Sequence, residues 1–381
     1  MRIAVFTNCY LPLVNGVVGV VDLLRDGFIK HGHEVYLFAP RFDDYVDVNP
    51  NVFRYPAVDL TSKVKYPIAV PFSPKIARVL RSLDFDVIHA HHPFVLGPAA
   101  LRLARKMGKP LVYTFHTQYD QYSHYVPLPS GLVRWIAKNQ VRRFAQAAER
   151  VTTPAETARQ ILLGYGVANE ITVIPNPIDL SRFQTAKGDS VKREYNLSDE
   201  KVLINIGRIA PEKNLELLLQ TFRLILARAP EPVKLMIVGD GPSLKGLKEL
   251  ARELGIANAV IFTGLVEPSR VPDYLAAADL FVMTSKTEVK PLTQLEALAS
   301  GTPIVAVSAA GANDTIIHGE NGLLLAEDAE AIAGGVLELA FNPERLAAFR
   351  GKALQTAEEY SHLRIAGAYL ELFNRVLQRK K

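Results

Sequence analysis

Short, continuous runs of β-branched and aromatic residues, each followed by a segment long enough for a helix, recur along nearly the whole chain. No other feature of the sequence constrains its fold as much. In the first half the runs are RIAVFT, EVYLFAP, VFRYPAV, DVIHAH, PLVYTF, RVTTPA and ITVIPN; in the second they are KVLINIG, KLMIVGD, VIFTG, LFVMTS, TPIVAV and GLLLA. A strand with one wet face alternates apolar and polar residues, whereas most of these runs are continuously apolar, as expected for parallel strands covered on both faces. Strands separated by helix-length segments are βαβ units, so the pattern predicts doubly wound α/β architecture. At 381 residues the chain is too long for one such domain. We place the domains at residues 1–178 and 179–360, with the polar stretch Asp179–Lys201 carrying the linker because it lacks a strong apolar period. Ligands of such folds bind beyond the carboxyl ends of the strands, so two Rossmann-like domains facing across a cleft would share one deep site.

Charge separates the halves. Residues 1–178 hold 20 Lys and Arg against 13 Asp and Glu, and residues 179–381 hold 24 against 26. A basic first half favours an anionic partner such as a membrane surface or a phosphorylated substrate. No zinc-finger spacing or nucleic-acid motif is present, which ranks nucleic acid last. Cys9 is the only cysteine, so no disulfide forms within the chain, in keeping with a reducing compartment. The N-terminal MRIAVFTNCYLPLVNG reads as a buried first strand rather than a signal peptide, and no run reaches the roughly 18 apolar residues of a membrane span.

Several loops at predicted strand ends carry chemistry. In GRIAPEKN, Arg208 follows a strand and Lys213 precedes a helix, a placement suited to clamping a diphosphate. In SKTEVKPLTQLEALASG, Glu288 lies in the loop after a strand and Glu296 about a turn and a half into the next helix, which Pro291 opens and Gly301 closes. Both carboxylates can accept hydrogen bonds from a polyhydroxyl ligand; a first-turn dipole partner and a solvated glutamate are the plainer alternative. Gly16 and Gly19 open a helix after the first strand and let backbone approach a phosphate, but without G-x-G-x-x-G a nicotinamide or flavin site is poorly supported. VGDGP fails the same pattern and reads as a tight strand–helix turn. His116 ends a buried strand and is followed by Tyr119, Tyr122, His124 and Tyr125. His89, His91 and His92 end another, and with no acidic or cysteine ligand pattern beside them they read as structural or site-lining rather than as a metal centre.

One helix has two uses open to it. From Ser130, a suitable cap, to Arg150, the residues Leu132, Ile136, Val141, Phe144 and Ala148 share one side, with Arg134, Lys138 and Arg142 in a stripe beside them and Trp135 and Arg143 flanking. Such a helix can lie in an anionic lipid interface, or it can be an ordinary domain helix with a solvated basic side.

Taken in order, the glycine loop after the first strand, FHT in mid-domain, GRIAPEKN and the E-x7-E spacing before EALASGTPIV resemble retaining glycosyltransferase family 4. The resemblance runs nearly the whole chain. NGV and the tyrosine-rich FHTQYDQYSHYVP are most similar to the bacterial 1,2-diacylglycerol 3-glucosyltransferases within it. It implies the GT-B fold, an N-terminal acceptor domain, a C-terminal nucleotide-sugar domain, and a last helix, about 361–381, crossing back onto the first domain. It further implies transfer of a hexose, glucose foremost, from UDP-glucose to a lipid acceptor such as diacylglycerol. The protein would be cytoplasmic and peripheral at the inner face of the cell membrane, with no bound cofactor or metal. By position, Arg208 and Lys213 would hold the donor diphosphate, Gly16 would pack near the β-phosphate and Glu296 would bind the ribose. Glu288 would meet the donor sugar and His116 its 6-hydroxyl. Tyr119, Tyr122 and His124 would lie toward the acceptor, and Arg134, Lys138, Arg142 and Arg143 toward the membrane.

The sequence departs from the family at one point. Pro291 stands where the family usually has glycine, which removes one backbone N–H, while Leu292 and Thr293 keep theirs and Lys290 adds a cation. Altered donor recognition is the expected consequence. Three other readings remain: a family 4 mannosyl- or other hexosyltransferase acting on a phosphoinositide or soluble acceptor, a GT-B sugar-nucleotide epimerase, and a non-catalytic nucleotide-sugar binding protein.

Overall fold

The computed structural model describes residues 1–58, 67–120, 128–285 and 291–378. They form two compact units, Met1–Pro177 together with the segment from His362, and Ile178–Ser361. The strands of the first unit are β1 (Arg2–Phe6), β2 (Glu34–Pro40), β3 (Val52–Tyr55), the short pair β4 (Ala57–Val58) and β5 (Ile68–Ala69), then β6 (Val87–Ala90), β7 (Leu111–Thr114), β8 (Arg150–Thr153) and β9 (Ile171–Val173). β4 and β5 pair antiparallel. The other seven make a parallel sheet in the order β3-β2-β1-β6-β7-β8-β9. The second unit holds β10 (Lys201–Ile206), β11 (Val233–Val238), β12 (Val260–Gly264), β13 (Leu280–Met283), β14 (Ile304–Val307) and β15 (Gly322–Leu325). Its order is β12-β11-β10-β13-β14-β15, again parallel. Each predicted run is a strand.

Continuous apolar runs follow from cover on both faces. In β10, Leu203 joins one buried cluster while Val202 and Ile204 join the opposite one. Both faces therefore favour apolar residues, and a polar one such as Asn205 is held by a hydrogen bond. In the first unit Phe6, Phe38 and Phe53 stand in register on β1, β2 and β3, with ring centroids 4.6 and 5.4 Å apart. This aromatic ladder fixes the pairing of an edge strand that backbone bonds alone would hold weakly.

The helix His362–Gln378 packs against the helix Gly16–Lys30 of the first unit. Gly27 permits the contact, because a Cβ there would stand 2.5 Å from Ala366 Cβ and 3.0 Å from the His362 carbonyl oxygen. Tyr369 and Phe373 reach inward to Phe28 and His89. The stretch expected to carry a linker is folded instead. The helices Ser181–Gln184 and Gly188–Glu194 bury Phe183 and Val191, and the turn after them buries Leu197, in the second unit's core. Three anchors at uneven spacing hold two short helices but leave no readable period.

Candidate functional site

A doubly wound sheet opens a crevice where the strand order reverses. In the second unit that point lies between the carboxyl ends of β10 and β13. There the ladder stops at Ile204 and Phe281, and the Asn205 side chain donates to the Val282 carbonyl, 2.8 Å away, in its place. Gly207 and Arg208 leave β10, and Thr284 and Ser285 leave β13. The buried hydroxyls of Thr284 and Ser285 donate to the carbonyls of Lys213 and Glu212 at 3.0 and 3.1 Å. On the other side the loop rests on the turn after β11: Gly207 N–H donates to Val238, Ile209 N–H to Asp240, and Ser243 N–H to Ile209. Gly239 is required by this contact, since a Cβ would lie 2.0 Å from the Gly207 oxygen and its φ is +135°. VGDGP is thus the bed on which the cationic loop lies. Arg208 is exposed, and Lys213 folds back so that its Nζ would be 3.9 Å from a Cβ on Gly207.

The helix after β13 runs Leu292–Ala299, with Pro291 at the cap rather than in the first turn, no side-chain cap, and Gly301 at φ +67° just beyond its end. The N–H groups of Leu292 and Thr293 have no intrahelical acceptor at this position. Glu296 is half-buried; desolvation pushes its carboxyl up from the ordinary range, and the Arg182 charge opposes that shift. Arg182 itself donates to the Pro268 carbonyl.

In the first unit the reversal lies between β1 and β6. An asparagine again spans it: Asn8 Nδ2 donates to Phe94 O at 3.0 Å, and Leu96 N–H donates to Asn8 Oδ1 at 3.1 Å. These bonds bracket Val95, held at φ 42°, ψ −83°. A β-branched residue there costs on the order of 1–3 kcal/mol, which the bonds on either side offset. His92 Nδ1 accepts the Asn8 N–H at 3.1 Å, and its Nε2 lies 3.6 Å from Cys9 Sγ. His89 Nε2 meets Thr114 Oγ1 at 2.7 Å, Thr114 meets Thr152 Oγ1 at 2.6 Å, and both hydroxyls lie near Tyr369 OH at 3.3 and 3.4 Å. His91 Nδ1 is 2.8 Å from His116 Nε2. Burial holds all four imidazoles below their ordinary range, His89 to about 3 and His92 to about 4. They are therefore neutral near pH 7. Among the described residues no group of three His, Cys, Asp or Glu is placed to hold a metal.

Residues 14–182 match the family described as Glycosyltransferase Family 4, and residues 189–356 match Glycosyl transferases group 1. An alpha-monoglucosyldiacylglycerol synthase of Streptococcus pneumoniae is 34% identical over 350 residues, spanning 89% of this chain and 78% of the relative. This chain belongs to glycosyltransferase family 4. A synthase of the same name from Acholeplasma laidlawii is 30% identical over 95% of this chain and 94% of its own. A GDP-mannose-dependent alpha-mannosyltransferase of Corynebacterium glutamicum is also 30% identical, over 85% of this chain and 76% of its own. Among solved structures, a sucrose-phosphate synthase of Thermosynechococcus elongatus has a TM-score of 0.81 at 19% identity and covers 99% of both chains. The Anabaena protein HepE in complex with UDP-glucose has a TM-score of 0.76 at 20% identity, covering 98% of this chain and 100% of that one. The fold is GT-B, and the protein is a glycosyltransferase.

Within this glycosyltransferase, Arg208, Lys213, Leu292, Thr293 and Glu296 belong to the second unit, and Gly16, His116 and Tyr119 to the first. Gly16 begins the helix that follows β1, capped by Asn15, whose side chain accepts from Val18 N–H. His116 is partly exposed, and Tyr119 packs edge-on against Phe94. Tyr122, His124, Glu288 and Lys290 lie outside the described residues.

The helix expected to meet the membrane differs in detail. It runs Ser130–Ala147 with Pro129 at its cap, and Ser130 makes no capping bond. Its apolar side divides: Val141, Phe144 and Ala148 are buried, while Leu132 and Ile136 are 47% and 44% exposed beside Trp135 at 62%. The basic stripe is not uniform either. Lys138 pairs with the buried Asp120 carboxylate at 3.5 Å, and Arg142 is half-buried, donating to Asn139 Oδ1 at 2.8 Å, while Arg143 is exposed. Asp120 also accepts the Tyr165 hydroxyl. A buried carboxylate draws in the nearest cation, and helical periodicity alone carries no trace of it. Thr284, Ser285 and Asn8 were likewise missed, because their roles run through backbone atoms of distant segments.

Proposed function

We propose that this glycosyltransferase moves a hexose, with retention, from UDP-glucose to a diacylglycerol-type lipid at the cytoplasmic face of the membrane. The carrying observation is the pair Arg208 and Lys213 on a loop fastened through its backbone at the second unit's strand-order reversal. Cations there, beside the open N-terminus of the helix Leu292–Ala299, suit a leaving diphosphate. In this reading the second unit binds the donor. Arg208 and Lys213 hold the diphosphate with the N–H groups of Leu292 and Thr293, Glu296 accepts from the ribose, and Glu288 and Lys290 meet the sugar. Gly16 lets backbone approach the β-phosphate, and His116 meets a sugar hydroxyl. The acceptor hydroxyl attacks the anomeric carbon on the face the diphosphate leaves; the new C–O bond forms as the old one breaks, and a phosphate oxygen takes the proton. Negative charge grows on the diphosphate during this step, so the cations act most strongly in the transition state.

Likeness to two alpha-monoglucosyldiacylglycerol synthases supports glucose and a lipid acceptor. The exposed Leu132, Trp135 and Ile136, with Arg143 nearby, support docking at an anionic surface. Among the described residues no helix is long and apolar enough to cross a membrane. Likeness to a GDP-mannose-dependent transferase favours mannose as the second reading. Purified protein incubated with UDP-glucose or GDP-mannose, with and without vesicles holding diacylglycerol and anionic phospholipid, separates them. Glycolipid formed from UDP-glucose on the vesicles is expected. Turnover of GDP-mannose alone, or of UDP-glucose on a soluble acceptor alone, would overturn the proposal.

A further inference from the structure

One face of the first unit gathers cations without carboxylates. The chain passes from β3 across to β6 and from β6 to β7 in the direction opposite to its step from β1 to β2. Right-handed crossovers therefore set the helices Pro74–Ser82 and Leu96–Met107 together on the face opposite the helix Gly16–Lys30. Neither of the two holds an Asp or Glu, while Lys75, Arg78, Arg81, Arg102, Arg105 and Lys106 are all exposed. Composition does not explain this, because the chain has 39 acidic residues to 44 Lys and Arg. Among the described residues none of the six forms an ion pair. The next carboxylates along the chain are engaged elsewhere: Asp84 pairs with Lys109 at 2.9 Å, and Asp86 accepts the Arg2 N–H at 2.7 Å. Crowded like charges repel, and a polyanion placed over them removes that repulsion.

Between these helices runs a groove of about 430 Å³, lined by Leu80 and Leu83 from one side and by Ala99, Leu103 and Met107 from the other. Arg81, Arg102 and Lys106 line the same groove, Arg102 and Lys106 one helical turn apart. Tyr55 at the end of β3 also faces it; burial pushes its hydroxyl up to about 12, and the nearby Arg102 charge opposes that push. Phe72, 76% exposed, belongs to the wall. A few residues before it, Val58 of β4 pairs with Ile68 of β5, which turns both to one side, and both are exposed. Cations alone would suit free phosphate or nucleic acid. Neither would cover the apolar wall, whereas a hydrocarbon chain carrying a phosphate satisfies both halves of the groove.

We propose that this groove binds one anionic phospholipid, its phosphate held by Arg81, Arg102 and Lys106 and an acyl chain laid along Leu80, Leu83, Leu103 and Met107. The lipid here is a ligand and not the acceptor. The groove extends to Met107, just before β7 begins, and so toward the amino ends of the strands, while transfer chemistry belongs at their carboxyl ends. The helix Ser130–Ala147 packs beside Leu96–Met107, so the groove and the exposed Trp135 share one helical layer. The site goes beyond the transferase reading and does not depend on which sugar or acceptor is used.

The test irradiates the full-length protein on vesicles of phosphatidylcholine containing about 30% phosphatidylglycerol. A photoactivated diazirine is carried on an acyl chain of one lipid or the other, and mass spectrometry maps the labelled peptides. Label from phosphatidylglycerol should concentrate in residues 71–83 and 99–107, about tenfold above label from phosphatidylcholine. Each basic residue near an anionic surface contributes about a fivefold factor in binding, so the double variant Arg102→Gln, Lys106→Gln should bind about twentyfold more weakly and lose these labels. Both side chains are exposed, so the fold should survive the change. Ala99→Trp fills the groove and should lose the labels there while vesicle binding stays within about fivefold. Should that variant fail to fold, the double variant and the wild-type map decide. Dihexanoyl phosphatidylglycerol below its micelle concentration should protect both segments from label, and glycerol 3-phosphate should not. Label confined to residues 130–147, equal label from the two lipids, or equal protection by glycerol 3-phosphate overturns the proposal. Transfer of glucose without label in the groove sinks this inference alone, and label there without glucose transfer sinks the functional reading alone.

Discussion

Truncating Phe373 to alanine should unfold the first unit far more easily, although the residue lies eight positions from the end of the chain. Phe373 is fully buried, with its ring centroid 5.6 Å from Phe28, 5.5 Å from His89 and 6.1 Å from Tyr369. Phe28 and His89 are themselves fully buried, on a helix and a central strand, so they cannot collapse into the space left behind. Phe→Ala substitutions in such surroundings cost about 3–5 kcal/mol, and rigid neighbours place this one in the upper part of that range. With a urea slope of about 2 kcal/mol per molar, the midpoint should drop by roughly 2–2.5 M. Trp135 is the only tryptophan and belongs to the first unit, so its fluorescence, followed alongside circular dichroism, reports on that unit. Leu354→Ala in the second unit, at a half-exposed side chain, serves as the control and should change stability by under about 0.5 kcal/mol. A Phe373→Ala midpoint within about 0.5 M of wild type would refute the view that the last helix is a structural part of the first unit.

Other consequences can be measured separately. Arg208→Ala and Lys213→Ala should each lower kcat about a hundredfold or more while acceptor KM stays within about threefold; near-normal turnover in both would remove the diphosphate role. Glu296→Ala should weaken calorimetric binding of free UDP by about tenfold, the loss of one charged hydrogen bond, and unchanged affinity would exclude ribose recognition. Acid should destabilise the first unit from the histidines alone. Their folded pKa values are depressed, so the unfolded chain takes up protons first, and the stability present above about pH 6.5 is lost as pH falls toward the folded values. For His92, with a folded value of about 4, the loss is about 3 kcal/mol by pH 4. Urea midpoints between pH 7.5 and 5 should therefore fall less steeply in His92→Gln than in wild type, and equal slopes would contradict the assignment.

Strand positions were legible because cover on both faces favours apolar residues along the whole length of a buried parallel strand, and most of the thirteen runs carry that mark. Arg208 and Lys213 were legible for a related reason: they sit where a strand run gives way to a helix, and doubly wound sheets put ligands there. Residues 181–197 were not, because Phe183, Val191 and Leu197 anchor two short helices at intervals that match no period. The helix from Ser130 shows the limit of a helical wheel. The wheel put Leu132 and Val141 on one side, but whether each meets core or solvent depends on where the sheet beneath it ends. Lys138 is exposed as the wheel has it, but its pairing with Asp120 is not legible there, because that partner is remote in the periodic pattern and close only in space. The pairing of His91 with His116 was out of reach from sequence, since the 2.8 Å contact joins residues 25 apart.

The cationic loop of the second unit is fastened almost wholly by main chain. Gly207, Ile209, Glu212 and Lys213 are each held through a backbone N–H or carbonyl, and the groups that grip them come from β11, the turn after it, and the end of β13. Apart from Ile209, whose side chain is fully buried in the core beneath, these bonds hold the loop through its backbone. Substitution at Arg208 or Lys213 can retune charge, reach and donor preference while the frame stays where it is. Inheritance of the frame falls instead on residues that never meet a substrate: Gly239, whose missing Cβ admits the Gly207 carbonyl, and the hydroxyls of Thr284 and Ser285. New donor specificities in this scaffold should therefore arise by exchanging what the loop carries, whereas a single methyl group at Gly239 would cost both the position of the loop and whatever chemistry it had acquired.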